Sequence, residues 1–130
     1  MREITKTISI KLDGKPREFR LTKLDAFSGA TLLRLLSSVP KDAEGDSVMG
    51  FILHLSDADL RSLMTTCLQH TEVLLPAGWN PVMTRGEWSY PELEHDTAVC
   101  LRLTIEEVLW TLEGFFDDGS SSSQSGTRAS

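Results

Sequence analysis

The chain has 130 residues, is 40% apolar and 25% charged, and carries a formal net charge of −6. That composition suits one globular domain with a single modest core and argues against bulk nucleic-acid binding. No apolar run approaches the ~20 residues of a membrane-spanning helix, and the opening MREITKTISIKLDGK lacks the apolar centre of a secretory signal.

Residues 1–24 hold seven Lys/Arg against three acids, whereas residues 25–130 hold six against sixteen. The basic part alternates like a strand pair. Ile4, Ile8, Ile10 and Leu12 share one face, with Thr5, Thr7, Ser9 and Lys11 on the other, and Lys6 alone breaks the pattern. Asp13-Gly14 marks a primed turn, because Gly tolerates the positive φ such a turn needs. The return strand sets Phe19 and Leu21 against Glu18, Arg20 and Thr22, and Pro16 fits a strand end or a sheet edge. An isolated hairpin is marginal in water, so this one must pack on the helices or on a partner.

Asp25 can cap a helix running to about Ser38, with Phe27, Leu32, Leu33, Leu35, Leu36 and Val39 as its apolar content. Pro40 ends it, and KDAEGD is a polar link. A short second helix begins at Asp46 or Ser47 and turns Val48, Phe51, Ile52 and Leu55 inward. Ser56-Asp57-Ala58-Asp59 resembles a capping box before the stripe Leu60, Leu63, Met64, Cys67 and Leu68. Residues 75–89, with two prolines, two glycines and an Asn, read as irregular. Ser89 with Pro91 and Glu92 starts a last helix, read as one long helix to Asp117 rather than two abutting at Thr104 and Glu107. GSSSSQSGTRAS has no side chain able to hold a core and reads as a disordered tail. The expected fold class is therefore α+β: a hairpin (1–24) packed on four or five helices (25–118), followed by a disordered tail (119–130).

No residue set carries catalytic chemistry. Cys67 and His70 have metal-ligand spacing, but a structural zinc site needs four convergent ligands, so no metal or cofactor is expected. Both cysteines, Cys67 and Cys100, lie in apolar periodic segments and read as buried thiols of a chain in a reducing cytoplasm. Glu92, Glu94, Asp96, Glu106 and Glu107 read as a solvated helix face rather than paired catalytic carboxylates. No nucleophile constellation or phosphate-cradling glycine loop is present, so the chain reads as no enzyme.

Two groups are candidates for partner binding. The aromatics around the irregular segment are rich in anchor residue types: Trp79, Met83, Trp88 and Tyr90, with Trp110, Phe115 and Phe116 on the last helix. Gap-filling over the helices is the equal alternative. Lys6, Lys11, Lys15, Arg17, Arg20 and Lys23 either solvate the sheet and discourage edge pairing or dock on an acidic partner, a second copy of the chain included.

The run ITKTISIKLDGKPREFRLTKLDAFSGATLLRLL, the later LSDADL and the closing IEEVLWTLEGFFDD resemble, in that order, the tail assembly chaperones of long-tailed phages and prophages. The resemblance covers residues 3–118. It implies a non-enzymatic protein of the host cell cytoplasm that coats the helical tape measure protein, keeps it soluble and helps tail-tube subunits polymerise around it. For such a helical client the expected site is the groove between the Leu60–Leu68 helix and the Leu93–Phe116 helix, rimmed by Trp79, Trp88 and Trp110. It also implies that a frameshifted longer form can exist, for which residues 119–130 would serve as short-form end or linker. A small structural tail-completion or connector protein is the alternative, and a DNA-binding regulator using the basic hairpin a third reading.

Overall fold

The computed structural model describes residues 4–37 and 45–123, with side chains described for 4–37 and 47–113. The class is α+β: among the described residues, an antiparallel sheet that begins with the N-terminal hairpin, plus four α-helices. β1 (Thr5–Leu12) and β2 (Lys15–Thr22) are joined by a two-residue turn in which Asp13 and Gly14 have φ of 54° and 78°. Positive φ at both positions is the pattern that matches strand twist, and an L side chain at Gly14 would be strained there.

α1 (Ala26–Leu35) is capped by Asp25, whose carboxylate accepts from the Ser28 N–H at 3.1 Å. α2 spans Gly45–Leu53 and turns Val48 and Ile52 into the core. α3 (Asp57–Gln69) starts at Ser56, whose hydroxyl accepts from the Asp59 N–H, as the capping-box spacing implies. Phe27 departs from expectation: at 86% exposed it adds nothing to the core. The Pro40 stop and most of the KDAEGD link lie outside the described residues.

Much of the segment expected to be irregular is sheet. β3 (Thr71–Leu75) pairs with β2 (Phe19↔Val73) and with β4 (Gly78–Pro81), giving the order β1-β2-β3-β4, antiparallel throughout. Pro76-Ala77 is the turn between β3 and β4, with Gly78 at φ 122°. A second ribbon follows, β5 (Met83–Thr84) with β6 (Glu87–Trp88), turning at Arg85-Gly86 with φ of 53° and 78°. The prolines and glycines thus punctuate short strands instead of abolishing them.

The last helix begins later than Pro91. Pro91–Leu93 form a single 3-10 turn, and α4 runs Thr97–Ser123 as one helix, with the Asp96 carboxylate accepting from the Val99 N–H. Thr104 is not an internal cap, since its hydroxyl donates to the Cys100 carbonyl within the helix. The backbone of α4 continues five residues into the expected tail, and residues 124–130 lie outside the described residues.

Among the described residues the core has two clusters that share α3 and α4. One joins Ile10, Leu12, Phe19, Leu21 and Val73 of the sheet to Leu68, Leu93 and Leu103. The other joins Leu32, Val48 and Ile52 to Leu63, Cys67, Val108 and Leu112. No helix of the described residues is long and apolar enough to cross a membrane.

Candidate functional site

A cleft of about 620 Å³ opens beside α3 and the start of α4. Its floor is the Leu60, Met64 and Leu68 face of α3 with Thr97 and Cys100 of α4, and its far wall is the β5–β6 ribbon, which supplies Met83, Gly86 and Trp88. The lining follows α3 from Asp57 to Leu68, a run of about 16 Å at 1.5 Å per residue. Asp57, Arg61, Glu94 and His95 form the polar rim.

The ribbon is held in place by local bonds. The Gly86 N–H donates to the Gln69 side-chain oxygen at 2.7 Å, tying the tight turn to the end of α3. The Thr84 and Ser89 hydroxyls share a 2.8 Å hydrogen bond, and the Ser89 and Tyr90 N–H groups both donate to the Val82 carbonyl. Glycine at 86 suits the positive φ that folds the ribbon back beside α3.

The structure separates the aromatic candidates. Met83 and Trp88 line the cleft. Tyr90 is 4% exposed and belongs to the sheet-side core, so it is not a surface anchor; burial and the neighbouring Glu92 raise its hydroxyl above the usual range. Trp79 lies on β4 with the Arg20 guanidinium 4.5 Å from its ring centre, and Trp110 packs against the sheet-side core beneath Lys23. Neither rims the cleft, because β4 and the middle of α4 lie beyond its walls. The side chains of Phe115 and Phe116 lie outside the described residues.

The basic candidates do not form one patch either. Arg20 pairs with Glu72 at 2.6 Å across β2 and β3, on the sheet face away from the core. Arg17 is half-buried opposite Ile10, turned toward Tyr90, and Lys23 lies over Trp110 at 5.7 Å. Lys6, Lys11 and Lys15 remain exposed.

One carboxylate contradicts the expected solvated face. Glu107 is 0% exposed, and neither of its oxygens has a hydrogen-bond partner among the described residues. Burial raises its pKa to about 8, with Lys6 on β1 as the opposing charge. Cys67 and Cys100 are buried free thiols. Burial raises Cys67 well above the ordinary value and Cys100 to about 11, so neither is poised as a thiolate.

Compared with protein-family models, curated proteins and solved structures, the chain matches none.

Proposed function

We propose that this protein is a non-enzymatic assembly chaperone of the phage-tail type. It binds amphipathic helical stretches of the tape measure protein along α3, keeps that long chain soluble in the host cytoplasm, and favours polymerisation of tail-tube subunits around it. The observation that carries the reading is the cleft. Its lining spans about three turns of α3, the length over which a client helix presents anchors at i, i+3 or i+4, and i+7. Met64 and Met83 suit a site that meets many different turns of a long client, because unbranched thioether side chains repack at little cost. Trp88 supplies a rigid anchor on the opposite wall. The order hairpin, capped helix, capped α3 and long last helix also agrees with the order of motifs on which the family resemblance rests.

The test is co-expression with the tape measure protein of the same phage, scoring the client's solubility and co-elution. The intact chain should hold the client in solution at low and moderate salt alike, since apolar contacts carry the binding. Combining Met64→Asp with Trp88→Ala should abolish co-elution, while Trp79→Ala should leave it intact. A client that stays soluble without this protein, or co-elution that survives the double substitution in a folded chain, would refute the reading.

A further inference from the structure

β1 is the long open edge of the sheet. It spans eight residues, contains no proline, and pairs only with β2 among the described residues. The opposite edge, β4, has four residues and ends in Pro81. The Lys23 N–H donates to the Ile4 carbonyl, and Leu12 faces Lys15 across the two-residue turn. The alternation of an antiparallel ladder then points the main-chain groups of Lys6, Ile8, Ile10 and Leu12 at β2, and those of Thr5, Thr7, Ser9 and Lys11 at the open side. These four residues are all exposed. Ile8 is half-buried at the margin of the sheet-side core, so an apolar side chain on an added strand would extend that core.

Charge decides which strand can be added. β1 carries Lys6 and Lys11 and no acid, and Lys15 stands just past the turn. A second copy would align lysines along one seam, which is how edge strands avoid self-pairing. An acidic strand meets the opposite condition, because opposite charges facing each other across a strand pair stabilise it.

We propose that the β1 edge accepts an extended acidic segment of a partner protein as a fifth strand, with apolar side chains on the core-side face beside Ile8 and Ile10 and carboxylates on the opposite face beside Lys11. The main chain provides affinity, and the lysines exclude the chain's own copies. This site is separate from the α3 cleft and does not depend on the client proposed for it.

The probe is a capped eight-residue peptide alternating Ile and Glu, compared with its Ile/Lys counterpart on the full chain by residue-resolved hydrogen exchange. The acidic peptide should slow exchange at the amides of Thr5, Thr7, Ser9 and Lys11 by about tenfold or more, and the basic one should not. Thr7→Pro should abolish this protection, because it deletes an outward N–H and no bond to β2. Lys11→Glu, which sets a like charge beside the peptide's carboxylates, should weaken binding about fivefold, and this variant decides the matter if Thr7→Pro fails to fold. Equal binding of the two peptides, protection mapped to the cleft or nowhere, or a dimer of the free chain that protects the same four amides would overturn the proposal.

Discussion

The core cluster around Phe19 and the cluster around Val108 draw on the same two long helices but are assembled differently. The sheet side is held by register: Phe19 faces Ile8 on one flank and Val73 on the other, so its position follows from two ladders at once. The helical side depends on α1 and α2, ten and nine residues long, which are too short to persist without packing. On α4, between Ile105 and Val108 of that cluster, the buried Glu107 carboxylate has no hydrogen-bond partner among the described residues. The sheet side should therefore be the rigid part of the molecule, and α1 and α2 the part that opens first. In native-state hydrogen exchange the amides of β2 and β3 should be slowest and those of α1 and α2 fastest; the reverse order would remove the distinction.

The largest expected effect comes from Phe19→Ala. Emptying the centre of the sheet-side cluster should cost about 3–5 kcal/mol, read as a fall in the denaturant midpoint with co-operative unfolding retained.

The pH dependence of Glu107 comes next. Its folded-state pKa of about 8 lies above the ordinary 4.5, so the folded chain holds a proton that the unfolded chain releases. The stability associated with that proton is whole below the ordinary value and declines as pH rises toward 8, by roughly 1.4 kcal/mol per pH unit. Melting temperature should therefore fall between about pH 5 and 8 and level off above, apart from other titrations. Glu107→Gln should flatten the profile; a profile unchanged by that substitution would show the carboxylate to be solvated.

Smaller effects test the local signals. Ser56→Ala removes the acceptor for the Asp59 N–H and should cost about 1 kcal/mol, measured by thermal unfolding. Phe27→Ser should change stability by less than about 0.5 kcal/mol, because the ring is almost wholly in solvent.

The parts legible in the chain were those whose cause is local. Period-two alternation with Asp13-Gly14 specifies the first hairpin, because the turn's positive φ and the pleat each depend on immediate neighbours. Asp25 and Ser56 announce their helices because a capping bond spans three residues. The Pro76-Ala77 and Arg85-Gly86 turns had signals too, a Pro at the first turn position and a Gly at the second, but each served strands of only two to five residues. Such strands are too short for their alternation to stand out. Of the site, the α3 stripe and the presence of Met83 and Trp88 nearby were readable, whereas the dispersal of Trp79, Tyr90 and Trp110 was not.

The chain's own pattern thus determines its α+β class, its first hairpin, its helix starts and the apolar face of α3. Tertiary structure decided the rest: the pairing of Phe19 with Val73, which widens a hairpin into a four-stranded sheet; the burial of Glu107; and the ribbon that turns one face of α3 into a cleft. The physical reason is the range of the contacts. A turn or a cap is settled within a few residues by sterics and hydrogen bonds. A strand pairing across three intervening helices offsets its loop-closure entropy only when both partners can share one core.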